Sequence, residues 1–384
     1  MLERERDLHV CLTPYHTFLA TLIAWARRHE ADSRMVLVEY RFDASILRES
    51  LRSWKASPFS DVLSIKTIPW WFNDFLLTIL SPGRVEAIRI YARAGRNLKL
   101  LARYTEKFAP TRVYVYNDWM DLSQGVMHFA KQIDPAARCV YVEDGIAAYV
   151  CSQEHQDADT RKHRLFRKLF IGSPWFEFVS IFGTSRWIDE CMMLFPDLRL
   201  PELKKHPTAE IPRTALTDSE FLRWNGDLLK RHGADVDSMT DIGCVLAVPA
   251  TTGHEDIAAW KRIVDLASEA MRRQGLRTAV KYHPREFLKD YLDVASRSGI
   301  LILPQKVSME NVGLQFLPHL KCMIGDTSSC LLSAKWMSPS SKIIACAGTT
   351  NHTFSVKPFA VLAKAGCSIA GDEDELRRTL ADDE

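Results

Sequence analysis

The feature that most restricts how this chain can fold is an alternation of short apolar runs with longer helix-period segments, present in each half. In the first half the apolar runs cover residues 9–12, 35–40, 62–68, 112–116 and 139–142. Helical patterns fill 15–28, 84–108 and 122–132 between them. After the polar stretch 207–241 a second register begins with a strand at 242–248, a helix over 255–274 and a strand at 278–282. It continues with a helix over 286–298, strands at 300–303 and 321–324, a helix from Ser328 and a strand at 342–346. Parallel strands need crossover connections of about a dozen residues or more, and helices of this length supply them. The pattern therefore predicts an α/β chain of two Rossmann-like domains, a GT-B architecture with parallel sheets facing a central cleft. The boundaries read as 1–206, a linker over 207–240, and 241–384, and 384 residues suffice for two such domains.

Charge and cysteine usage exclude several classes. The formal net charge of +2 gives no bulk case for nucleic-acid binding. Nine cysteines occur without CxxC spacing, and several lie inside apolar runs. Buried reduced thiols are expected there, rather than a disulfide framework or a zinc site. The N-terminus lacks the basic region and long apolar core of a signal peptide, and no stretch reaches the length of a membrane span. A cytoplasmic protein is expected.

Three places after predicted strands carry chemistry. The first is Glu143-Asp144-Gly145, where a sharp turn at glycine places carboxylates at the carboxyl end of a parallel strand. An acidic pair in that position is also a common cap or loop. The second is His283-Pro284, where proline favours an extended backbone at the histidine and holds the imidazole at a strand end. A second pair, His206-Pro207, has no strand before it and reads as surface. The third is Asp326-Thr327-Ser328-Ser329 after the strand at 321–324, where hydroxyls open a helix. Such a helix start offers free N–H groups and the positive dipole end to an anion, or simply a cap. No GxGxxG, P-loop or HExxH motif competes with these three.

In this order, the three motifs resemble those of the bacterial sialyltransferases and polysialyltransferases, which share an acidic D/E-D/E-G motif, an HP motif and a serine pair. The opening turn Thr13-Pro14, with Tyr15 and His16 behind it, is similar to the start of lipooligosaccharide sialyltransferases. The resemblance implies a metal-independent, inverting transfer of sialic acid from CMP-sialic acid to a glycan hydroxyl. It needs no cofactor beyond the donor. Glu143 would be the general base, with Asp144 in its place if the strand presents its other face. His283 and Pro284 would lie at the CMP phosphate, with Ser328, Ser329 and Thr327 holding the same group. Glu310 would meet the ribose hydroxyls, and Gly145, Thr13 and Pro14 would shape the acceptor side. The first domain would then take the acceptor and the last the CMP-sugar, in synthesis of a capsule or lipooligosaccharide.

Basic and aromatic segments raise a second expectation. Arg84, Arg89, Arg93, Arg96, Lys99, Arg103 and Lys107 share one helix, after Pro69-Trp70-Trp71-Phe72. Arg161, Lys162, His163, Arg164, Arg167 and Lys168 precede Trp175 and Phe176. Two readings stand side by side: peripheral contact of the inner membrane face or an acidic glycan, and a solvated helix face with its aromatics in the core. Rival functions are transfer of another CMP-nonulosonic acid (Kdo, legionaminic or pseudaminic acid), a CDP-glycerol-type phosphotransferase, and a non-catalytic glycan-binding remnant.

Overall fold

The computed structural model describes residues 4–39, 42–67, 84–150, 175–177, 179–249, 257–284, 286, 290–316, 319–347 and 356–381, with backbone alone for 84–92, 237 and 238. Two compact units result, Met1–Pro212 and Arg213–Glu384.

The first unit runs β1 (Glu5–Cys11), α1 (Pro14–Ala26), β2 (Ala31–Glu39), α2 (Ser45–Ser53), β3 (Phe59–Lys66) and α3 (Arg84–Phe108). It continues with β4 (Arg112–Val115), α4 (Asp121–Ile133), β5 (Arg138–Val142), β6 (Glu190–Met193) and β7 (Thr208–Glu210). The strands form one sheet in the order β3-β2-β1-β4-β5-β6-β7. Every neighbouring pair is parallel. The chain builds outward from β1 through β2 to β3, then returns to the other side of β1 as β4. Strand order therefore reverses between β1 and β4, and in open parallel sheets ligands collect past the carboxyl ends of strands at such a point.

The second unit repeats the plan. Its elements are α5 (Ser219–Arg231), β8 (Ile242–Val248), α6 (Ile257–Arg273), β9 (Arg277–Tyr282), β10 (Ile300–Ile302), α7 (Met309–Phe316) and β11 (Cys322–Gly325). They are followed by α8 (Ser329–Met337), β12 (Lys342–Cys346), α9 (Lys357–Lys364), β13 (Ser368–Ala370) and α10 (Glu373–Ala381). The sheet order β10-β9-β8-β11-β12-β13 places the reversal between β8 and β11. A parallel strand covered on both faces reads as an unbroken apolar run, and every residue of β8 is buried. Gly243 within it is required by packing, since a Cβ there would lie 2.6 Å from Leu276 Cδ1. Trp260 of α6 is fully buried against this sheet. Burying a large apolar side chain of this kind contributes roughly 1.5–3 kcal/mol.

Three features depart from the sequence pattern. The helix expected over 286–298 is absent among its described residues, and 290–298 form turns. Asp290 has a left-handed backbone (φ 46°), and its carboxylate accepts the amides of Val294 and Ala295, each at 2.8 Å. Aspartate competes with helix formation through such local bonds. The stretch 207–240 carries β7, which extends the first sheet, and α5, which buries Phe221, Trp224 and Leu228 in the second unit. Asn225 on α5 donates to the Asn311 carbonyl at 2.9 Å. Finally, β6, β7, β13, α2, α7, α9 and α10 are elements that the sequence pattern does not predict. Every described cysteine is a buried free thiol, and Cys151 lies outside the described residues.

Candidate active site

The strand β5 ends on Val142, and the acidic pair that follows divides by direction. Consecutive side chains of an extended chain point to opposite faces. Glu143 is fully buried. Its Oε1 accepts the Tyr15 hydroxyl at 2.9 Å, and its Oε2 accepts the Leu194 amide at 2.7 Å and the Tyr149 hydroxyl. Burial pushes the Glu143 carboxyl up to about 7, against the opposing pull of these donors. Asp144 keeps 24% of its side chain exposed. Its Oδ1 lies 2.6 Å from His16 Nε2, and its Oδ2 accepts Asn117 Nδ2 at 3.2 Å.

The partners of Asp144 come from the reversal point of the first sheet. His16 lies in the first turn of α1, directly after β1, and Asn117 follows β4. Thr13 caps α1, its Oγ1 accepting the His16 amide at 3.1 Å, and Pro14 occupies the first turn, where a missing N–H costs nothing. The Leu12 amide donates to His16 Nδ1 at 3.2 Å, and the ring stacks on Tyr116 with centroids 5.1 Å apart. Gly145 adopts φ 66°, a left-handed conformation suited to glycine. The 3₁₀ turn over Gly145–Ala148 then brings Tyr149 back onto Glu143.

In the second unit, β9 ends on Lys281 and Tyr282, ahead of the half-buried His283 and exposed Pro284. Gln305 fixes the loop, its Nε2 donating to the carbonyls of His283 (2.8 Å) and Glu286 (2.7 Å). Across the reversal point, β11 leads to half-buried Thr327, Ser328 and Ser329. Ser328 caps α8 by accepting the Cys330 amide at 3.4 Å. This helix start presents hydroxyls and the positive dipole end together. Glu310, in the first turn of α7, is only 5% exposed, and its Oε1 accepts the Ser333 hydroxyl at 2.9 Å. Burial raises its carboxyl. Lys281 is buried beside it, its Nζ donating to the Gln305 carbonyl at 3.2 Å. Burial brings this amine down to about 8, opposed by the charge of Glu310. Glu310 is thus held inward by α8, and Lys281 belongs to the same polar cluster.

Thr13, Pro14, Glu143, Asp144 and Gly145 come together in the first unit, and His283, Pro284, Glu310, Thr327, Ser328 and Ser329 belong to the second. Sequence reasoning assigned no role to Tyr15, His16, Asn117, Tyr149 or Lys281. A signal existed for three of them. Tyr15 and His16 follow the Thr13-Pro14 turn, and Lys281 precedes His283 by two residues on one strand face. Among the described residues no group of three or more His, Cys, Asp or Glu is arranged to hold a metal ion.

On α3, Arg93, Arg96, Lys99, Arg103 and Lys107 are exposed, and Leu100 among them is 45% exposed. Leu98 and Leu101 face the core. Trp175 and Phe176 are buried rather than displayed, with Trp175 stacked on His128 at 5.3 Å. The segments 69–72 and 161–168 lie outside the described residues. No helix among the described residues is long and apolar enough to cross a membrane.

Solved structures share this architecture across nearly the whole chain. The α/β-galactoside α-2,3-sialyltransferase of Photobacterium phosphoreum matches with 12% identity and a TM-score of 0.55, covering 96% of this chain and 98% of that one. The GT-B domain of a sialyltransferase from Photobacterium damselae matches with 11% identity, a TM-score of 0.50 and coverage of 94% and 96%. A putative UDP-N-acetylglucosamine 2-epimerase from Listeria monocytogenes matches with 11% identity, a TM-score of 0.56 and coverage of 99% and 88%. No curated protein matches. Two Rossmann-like parallel sheets of this strand order place the chain in the GT-B class. The chain belongs to the alpha-2,8-polysialyltransferase (POLYST) family, whose sequence profile matches residues 7–347, and it is a sialyltransferase-like glycosyltransferase.

Proposed function

We propose that the chain transfers sialic acid from CMP-sialic acid to a hydroxyl of a bacterial surface glycan, in one inverting displacement that needs no metal. The observation that carries the mechanism is the unequal burial of the two adjacent carboxylates. A general base must come within hydrogen-bond reach of the proton it removes. Glu143 has no exposed surface while Asp144 keeps 24% of its side chain exposed, so Asp144 takes the proton of the acceptor hydroxyl. The acceptor oxygen forms its bond to the anomeric carbon as the bond from that carbon to the CMP phosphate oxygen breaks. The electron pair stays on the phosphate, where negative charge grows. His283, Thr327, Ser328, Ser329 and the start of α8 are donors suited to that charge, and preorganised donors of this kind often lower the barrier more than any other single effect.

The test is CMP release and sugar transfer from a panel of activated donors, with EDTA present throughout. Turnover of CMP-sialic acid is expected, unaffected by EDTA, and His283→Ala should lower it by about 10²–10³-fold, the cost of losing one transition-state donor. Turnover of CMP-Kdo or CDP-glycerol in its place would replace the proposed donor. Absence of turnover and of CMP binding would leave only a glycan-binding protein.

The basic stripe of α3 supports peripheral contact with an anionic membrane surface, where the acceptor is held. Each Lys or Arg near such a surface contributes about 1 kcal/mol. The protein should float with vesicles containing anionic lipid at low salt and be released at high salt. Arg96→Glu with Arg103→Glu should abolish flotation, and flotation unchanged by those reversals would remove the membrane reading.

A further inference from the structure

We infer that His16 is a positioning residue for the base: it aims Asp144 through a hydrogen bond whose direction the backbone fixes. This rests on the sialyl-transfer reading above and assigns a role to a side chain outside its three motifs.

The argument begins with the Leu12 amide. A backbone N–H can only donate, so its 3.2 Å contact makes His16 Nδ1 the acceptor. The ring proton then sits on Nε2, directed at Asp144 Oδ1 2.6 Å away. Three further restraints hold the imidazole. Its backbone amide is tied to the Thr13 cap at 3.1 Å, its ring lies against Tyr116, and the side chain is 1% exposed. That burial also excludes His16 from meeting an acceptor itself. With Asn117 on Oδ2 from the opposite side, Asp144 has one donor on each oxygen and its remaining exposed surface is its only route to a substrate. His16 and Asn117 come from elements following β1 and β4, the two strands that flank the reversal point. The base is therefore oriented from the reversal point of the first sheet, although it stands on a loop itself.

The value of such orientation is large, because a misplacement of about 1 Å can cost about 10²-fold in rate. His16→Asn and His16→Gln separate positioning from structural support. An asparagine amide overlays the Nδ1 side of a histidine, so His16→Asn can still accept from Leu12 and cannot reach Asp144. A glutamine amide overlays the Nε2 side, so His16→Gln can still donate to Asp144 and gives up the Leu12 bond. Expected for transfer is a fall in kcat of about 10–100-fold in His16→Asn, with donor KM unchanged, and retention within about threefold in His16→Gln. In an Asp144→Asn background, His16→Asn should have no additional effect on the residual rate, since a residue acting through Asp144 has nothing left to orient. A purely structural histidine would give the reverse order, with asparagine tolerated and glutamine damaging, and effects that add. That pattern, or equal activity in both variants while the wild type transfers, overturns the inference and leaves the transferase reading in place. A wild type that releases CMP from no donor overturns both together.

Discussion

With asparagine in place of Asp144, transfer should fall by about 10²–10⁴-fold, the usual contribution of a positioned general base. The substitution removes the basic oxygen and little else. The carboxamide it introduces would keep an oxygen for the His16 proton, so that side of the contact survives. On the other side its new amide would face Asn117 Nδ2. Asn117 Oδ1 is buried with no hydrogen-bond partner, so a flip of that amide turns the facing pair into a donor and an acceptor. The loss should therefore appear in kcat, with thermal stability close to wild type. Glu143→Gln is the companion measurement. Its carboxamide fits the same pocket, accepting from Leu194 and Tyr149 while donating to the Tyr15 oxygen. It should lose less than about tenfold, because the acceptor proton goes elsewhere. An inactive Glu143→Gln beside an active Asp144→Asn would reverse the two assignments.

The second large effect concerns stability and pH. The Glu143 carboxyl is held at about 7 in the folded chain against an ordinary value of 4.5, with burial as the dominant cause. The folded state therefore binds this proton more tightly than the unfolded state does. Its stabilising contribution is complete below about pH 4.5 and is lost as pH rises through 7. At about 1.4 kcal/mol per pH unit, the loss amounts to roughly 3 kcal/mol by pH 8. Denaturant midpoints measured at pH 5 and pH 8 should show this loss in the wild type, and Glu143→Gln should reduce it by that amount. Asp118, held at about 6 by burial, also contributes to the wild-type slope. It is present in both proteins, so the difference between them isolates Glu143. Identical slopes would show that Glu143 stays ionised in the folded state.

Part of this was legible from residue order, for a physical reason. Periodicity reports burial, and burial in a parallel sheet is a strong local signal. The helix α3 begins and ends at the residues its pattern indicated, Arg84 and Phe108. The three motifs were placed after strands because apolar runs end where the chain leaves the sheet, and they lie there in the structure. Short strands escaped notice. β6 and β7 read Glu-Cys-Met-Met and Thr-Ala-Glu, too brief and mixed to show a period. The helix expected over 286–298 failed because periodicity ignores what the Asp290 side chain does to its own backbone. Within the acidic pair, order alone could not decide between neighbours. Which carboxylate is sealed depends on Tyr15, Tyr149 and Leu194, and which one is presented depends on His16 and Asn117. Those contacts span up to 128 positions of sequence.

The turn at Gly145 bears on what the acidic triplet is. Its left-handed backbone reverses the chain so that Tyr149 closes over the side chain two positions before the glycine. The glycine letter is then a folding instruction as much as a catalytic one: it latches the first acid shut and leaves the second acid outside the latch. A descendant sequence that kept both acids and lost the glycine would preserve the chemistry on paper while losing the distinction between them. The third letter of the motif thereby encodes the inequality of the first two.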